Sequence, residues 1–177
     1  MKKIGIIISI IIIYFFIYFL QTNFFCWFTI NGVQPNLFIL LALFIGIFMG
    51  RKTGTILGVL FGLYTDFLYS NTIGISGILF GAIGFIGDYL DKKFSKDSKI
   101  TIVLMGAIIT AIYEIIMYVF RFFKLSTTIS LVPFLYTLGI EIIYNALIII
   151  ILYPLIHKFG VYIEGLFKNK KMLPRYF

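Results

Sequence analysis

Charge is what this sequence has least of. Asp, Glu, Lys and Arg make up 12% of its 177 residues, where an ordinary soluble domain has about a quarter, and that shortage excludes a water-soluble core of ordinary shape. Histidine occurs once, at His157, and cysteine once, at Cys26. A single thiol excludes an intrachain disulfide, and one histidine with one cysteine cannot build a conventional zinc site. No serine has a histidine at a comparable depth, which excludes a serine triad. No GxxxxGK[ST] loop is present to cradle a phosphate. Strand-like alternation is missing as well. Runs such as Ile6–Ile13 and Leu147–Ile151 are apolar without period two, which excludes the strands of a transmembrane barrel. The reading is a protein that is not an enzyme, with no catalytic residue, no cofactor and no metal.

What is abundant is apolar chain, 61% of the residues. Apolar runs near the length needed to cross a hydrocarbon core of about 30 Å recur along it, and backbone in lipid must satisfy its own hydrogen bonds, so the runs are helices. The expected fold is all-α: a polytopic membrane helix bundle in one integral membrane domain, 1–177, with about six transmembrane helices over 4–20, 35–50, 53–69, 73–90, 100–120 and 131–152. Lys2-Lys3 precede the first span, and no small-x-small cleavage site follows it, so it reads as a retained helix. Pro154 and His157-Lys158 mark the expected end of the last span. Residues 159–167 are expected as a surface helix or an extended basic tail. The net charge of +8 lies in short clusters between the spans, which is the pattern of membrane orientation and not of nucleic-acid binding. With both termini cytoplasmic, only Arg121 and Lys124 fall outside, as the positive-inside rule requires. The expected location is the bacterial cell membrane, crossed several times, with the basic inner face drawing anionic lipid.

Two sets of residues stand out against this apolar background. Glycines recur four apart at Gly46, Gly50, Gly54, Gly58 and Gly62. Arg51-Lys52 divide the series between two spans, so it is not expected to form one interface. Glycines at i, i+4 share a helix face and allow close backbone approach. Gly54, Gly58 and Gly62 therefore read either as packing within the chain or as a docking face for a partner's helix. The second set is acidic. Asp66, Glu114 and Glu141 lie within spans, where a charge costs at least ~2.5 kcal/mol and so faces protein or water. Glu114, Tyr118 and Arg121 share a helix face, as do Glu141 and Asn145. These spacings predict an intramembrane polar cluster of Asp66, Glu114, Glu141 and Asn145 on the outer side, either structural or a site for a proton, a substrate or a partner. Asp88-x-x-Asp91, followed by lysines, reads as an interfacial charge patch.

The order Pro35-Asn36-Leu37, an apolar span, then Arg51-Lys52-x-Gly54-x-x-x-Gly58-x-x-x-Gly62-Leu63-x-x-Asp66 and a short loop with Gly74 resembles the rod shape-determining protein MreD family. The resemblance is specific over about residues 34–91 and extends further by hydropathy and length. It makes Pro35, Gly54, Gly58, Gly62 and Asp66 family motif positions. It implies a non-enzymatic membrane scaffold of the cell-wall elongation complex. That scaffold would bind the bitopic protein MreC and maintain rod shape by organising peptidoglycan synthesis, alongside MreB, RodA and a transpeptidase.

A rival from another class has the same size and span number: the substrate-binding membrane subunit of an energy-coupling-factor vitamin transporter. The discriminator is the polar content of the outer side, because a small-molecule site needs several convergent polar groups in a concave pocket. The segment 21–34 and the outer ends of the fourth and sixth spans are expected to offer few.

Overall fold

The computed structural model describes residues 2–69, 73–94, 96–125 and 130–168. Within them the chain forms six α-helices: α1 (Lys2–Phe19), α2 (Leu37–Met49), α3 (Arg51–Tyr69), α4 (Ile75–Lys93), α5 (Lys99–Leu125) and α6 (Leu131–Phe167). α1, α5 and α6 are long and apolar enough to cross a membrane. The helices expected from the sequence are therefore present, with shifted limits.

α2 is the axis of the bundle. Its 13 residues rise only about 20 Å, less than the thickness of a hydrocarbon core. Its uniformly apolar sequence is explained by protein on nearly every side, with Ile39, Leu43 and Ile47 fully buried. Asn36 caps its start by accepting a hydrogen bond from the Ile39 N–H at 3.4 Å. At its end Gly50 alone separates it from α3. That hinge has φ +84°, a conformation open to glycine and costly for other residues. Arg51 and Lys52 accordingly lie in the first turn of α3 rather than in a loop, and the Arg51 guanidinium rests 4.1 Å over the Phe85 ring.

The glycines draw α2, α3 and α4 together. A Cβ at Gly58 would stand 2.3 Å from the Phe80 carbonyl oxygen, and one at Gly62 would stand 2.2 Å from that of Ser76. Gly46 and Gly54 both face Gly84, so the two halves of the glycine series meet at one point on α4 despite the hinge between them. The expectation that they could not share an interface fails because the hinge folds α2 and α3 onto the same neighbour. A second close seam joins α5 to α6, where Gly106 admits the Ile149 side chain.

α1 and α5 present wide apolar faces outward. On α1 only Ile10 and Tyr14 are buried. Tyr14 stacks on Phe61 at 4.4 Å, and its hydroxyl lies 2.8 Å from the Thr65 hydroxyl. On α5, Ile102, Met105, Ile109 and Tyr113 are buried at helical spacing, while Leu104, Ile108 and Ile112 point away from the bundle and are exposed. α6 runs on through Pro154 as one helix of 37 residues, about 55 Å long. The expected end at Pro154 is thus corrected, and residues 159–167 are neither a separate surface helix nor an extended tail.

Between α1 and α2 the chain makes a π-helical turn, Leu20–Phe24, and then a tight reversal. Ile30 and Val33 exchange backbone hydrogen bonds at 3.0 Å around Asn31 and Gly32, both at positive φ. Asn-Gly is the pair that favours such a turn. Tyr144 of α6 pins this segment by donating to the Phe28 carbonyl at 2.6 Å.

Candidate functional site

Ion pairs gather at one end of the bundle and neutral polar groups with acids at the other. At the Asp91 end, α4 brings Asp88 and Asp91 one turn apart, 3% and 5% exposed. Buried carboxylates need partners, and Lys168 at the end of α6, with Lys92 and Lys96, supplies them. Lys168 Nζ lies 2.6 Å from Asp91 Oδ2 and donates to the Ile47 carbonyl at the end of α2. Lys96 joins Asp91 at 2.9 Å to Glu164 at 2.5 Å, and Lys92 pairs with Asp88 at 2.6 Å. Burial opposes ionisation of Asp91, but the ammonium groups of Lys168 and Lys96 outweigh it and hold its carboxyl below the ordinary aspartate value. The expected interfacial charge patch is therefore a buried ionic clasp that fastens the last turns of α6 to α2 and α4. His157, near this end, has Nε2 3.3 Å from Asp97 Oδ1.

At the opposite end a cavity of about 550 Å³ opens among the 21–36 segment and α2 to α6. Asp66, Glu114 and Glu141 all line it, so three of the four residues of the expected polar cluster come together. Their environments differ. Asp66 is 2% exposed, and its Oδ2 accepts from the Gly74 N–H at 2.8 Å and the Ser76 N–H at 3.0 Å. The first turn of a helix leaves such donors without intrahelical partners, so Asp66 fixes where α4 begins. Glu114 projects from α5, and Arg121, two turns further along the same helix, also lines the cavity. Tyr118, between them in the register, turns its ring instead against Phe134 at 4.1 Å. Glu141 is 6% exposed, and its Oε1 is buried with no hydrogen-bond partner in the protein.

Asn145, the fourth expected member, lies one turn from Glu141 outside the cavity wall. It is fully buried, donates to the Thr110 hydroxyl at 3.0 Å and accepts from the Asn36 N–H at 2.9 Å. It thereby ties α6 to α5 and to the start of α2. Pro35 is also fully buried, and its carbonyl accepts from Gln21 Nε2 at 2.6 Å. Gln21 Oε1 in turn accepts from the Leu37 N–H at 3.3 Å.

Gln21, Gln34, Asn36, Thr65, Ser76, Tyr113 and Lys124 also line the cavity, and none of them was expected there. The 21–34 segment and α4 contribute only Gln21, Gln34 and Ser76 to it, and most of the added polarity comes from Asn36, α3 and α5, which the expectation of few polar groups did not cover. These residues come from three helices and the 21–36 segment, so no local stretch of sequence shows their sum. The one local signal was Gln21 placed directly after the apolar run of α1. Of the two readings of Gly54, Gly58 and Gly62, packing within the chain is the one seen, since α4 occupies that face.

Two ends of opposite character flank a glycine-sealed core, and Asp66 caps the next helix. A family model described as rod shape-determining protein MreD matches residues 1–163. It thus spans all six helices, short only of the last turn of α6. No curated protein matches the chain, and no solved structure does. The membrane character of the helices and the extent of that match agree: the chain belongs to the MreD family of rod shape-determining proteins.

Proposed function

We propose that the protein is a multi-pass, non-enzymatic scaffold of the bacterial cell membrane. In this reading it binds an MreC-like bitopic protein and organises peptidoglycan synthesis during elongation, with MreB, RodA and a transpeptidase as indirect partners. The observation that carries the reading is the family match over residues 1–163. Gly54, Gly58 and Gly62 serve the scaffold by seating α4 against α3, and partner helices dock on outward faces that stay apolar. Both termini are cytoplasmic, the basic clusters attract anionic lipid, and the cavity of Glu114 and Glu141 opens toward the outside.

The test is depletion in rod-shaped cells combined with co-purification from native membranes. Loss of rod shape, with recovery of an MreC-like protein and wall synthases, is the expected result. Unchanged shape with a co-purified ATPase module and a bound vitamin would replace the scaffold by the transporter subunit. The cavity is the observation that favours this second reading.

A further inference from the structure

Of all the polar side chains in the described residues, Glu141 is the one whose buried oxygen finds nothing to bond. Its Oε1 is closed off from solvent with no partner in the protein, in a residue only 6% exposed. A buried carboxylate oxygen left without a donor is costly, and the protein elsewhere avoids that cost. Asp66 in the same cavity takes two backbone donors, and Asp91 at the other end takes two ammonium groups. Glu114 shares the cavity with Glu141, so two carboxyl groups face one space whose described lining holds no buried cation, although the charge of exposed Arg121 reaches both. The bases that do line it, Arg121 and Lys124, are exposed side chains at the end of α5. Seven residues of helix, about 10 Å, separate the backbone positions of Glu114 and Arg121. The cavity therefore has an acidic floor and a basic rim, and at about 550 Å³ it is within the range of small-molecule sites.

We propose that this cavity binds a small zwitterion, its ammonium group donating to Glu141 beside Glu114 and its anionic group held at the rim by Arg121 and Lys124. An ammonium, met by a turn of the Glu141 carboxyl that brings Oε1 to the cavity, supplies the donor that Oε1 lacks, and charge-assisted hydrogen bonds of this kind are the strong ones. A purely anionic ligand would meet the two carboxylates, and a purely cationic one would leave the rim bases unused. A metal ion is a poorer occupant, because no group of three or more His, Cys, Asp or Glu able to hold one occurs among the described residues. The same chemistry is offered by a free amino phosphate and by a lipid headgroup that joins an amine to a phosphate. The inference is independent of the scaffold role, since a scaffold can carry a ligand that reports on its surroundings or braces its fold.

The experiment uses the full-length protein in two forms. In detergent, O-phosphoethanolamine is titrated and binding is read by calorimetry and by Tm. Ethanolamine and glycerol phosphate, each lacking one of the two charges, serve as comparators. In nanodiscs, lipid retained by the protein is measured in bilayers of phosphatidylethanolamine mixed with phosphatidylglycerol. Saturable binding of the soluble zwitterion identifies a free ligand, and selective retention of phosphatidylethanolamine alone identifies a headgroup. Either result supports the proposal. Glu141→Gln, which keeps shape and removes the charge, is expected to weaken that binding about tenfold or more, the loss of one charge-assisted hydrogen bond. Arg121→Gln should weaken it from the other end. If Glu141→Gln fails to fold, Glu114→Gln takes its place. The proposal is overturned if neither zwitterion binds, if a single-charge comparator binds as well, or if the folded floor variant binds like the wild type.

Discussion

At Gly58 the space for a side chain is already taken by the backbone of α4, with the Phe80 carbonyl 2.3 Å from where a Cβ would be. A carbonyl in a helix cannot swing aside as a side-chain tip can, so Gly58→Ala has to part α3 from α4. The expected loss is about 1–3 kcal/mol, read as a lower Tm in detergent, with Gly58→Leu worse. Gly139→Ala is the control, since nothing lies within 4 Å of a Cβ there, and it should leave Tm unchanged or slightly raised. Asp66 makes a different prediction. Asp66→Ala strands the Gly74 and Ser76 N–H groups and should cost about 1–3 kcal/mol. Asp66→Asn, which still presents a carbonyl oxygen, should cost less, and equal losses in both would contradict the capping role. Much at this scale was legible in the sequence. The spacing of Gly54, Gly58 and Gly62 announced close backbone approach, and the position of Asp66 in an otherwise apolar run announced a partner. What the spacing could not show was which surface fills the glycine face, because a small-residue stripe reads the same whether a neighbour in the chain or another protein lies on it. Nor could it show that Asp66 is bonded while Glu141 Oε1 is not, because both are single acids in apolar runs and only the neighbouring helices distinguish them.

Among the elements, α6 departs most from its expected form. Proline inside a helix removes one backbone hydrogen bond and crowds the preceding turn, which is why Pro154 read as an end. The helix continues because its far turns are held from outside, by the Glu164 and Lys168 contacts to Lys96 and Asp91 and by Gly160 against the Phe48 ring. None of those partners is near in sequence, so local pattern could not reveal them. The clasp has a pH signature. Burial resists the charge on Asp91, and Lys168 and Lys96 more than restore it, leaving the folded carboxyl below its ordinary value of 3.8. A carboxyl lowered by folding adds stability above its unfolded value and loses it as pH falls through the folded one. The clasp is thus intact at neutral pH and weakens only below about pH 4. Lys168→Met removes the buried partner of the Asp91 carboxylate and should cost about 3 kcal/mol at pH 7. With burial then less opposed, the variant should also lose much of the fall in Tm below about pH 4. A variant as stable as the wild type at pH 7, with the same acid limb, would show that the clasp contributes nothing.

At the scale of the whole molecule, the order of the six helices leaves one question, which end of the bundle faces the cytoplasm. The short α2 does not alter the parity: it runs between the cavity end, at Pro35, and the clasp end, at Gly50, so each helix in turn joins the same two ends. Charge then predicts orientation. The clasp end carries Lys92, Lys96, Lys99, Arg51, Lys52 and the basic start of α1, while the cavity end carries Arg121 and Lys124. Positive charge in short connections stays cytoplasmic, so the clasp end is expected inside and Cys26, in the segment after α1, outside. The chain carries its own probe, because Cys26 is its only cysteine and is exposed. A membrane-impermeant maleimide should therefore label the wild-type protein on intact cells, and Cys26→Ser should abolish the signal. In that cysteine-free background, Lys93→Cys should label only after the membrane is opened. Labelling of Lys93→Cys but not of Cys26 on intact cells would invert the bundle, turning the acid-floored cavity to the cytoplasm and the clasp to the wall side.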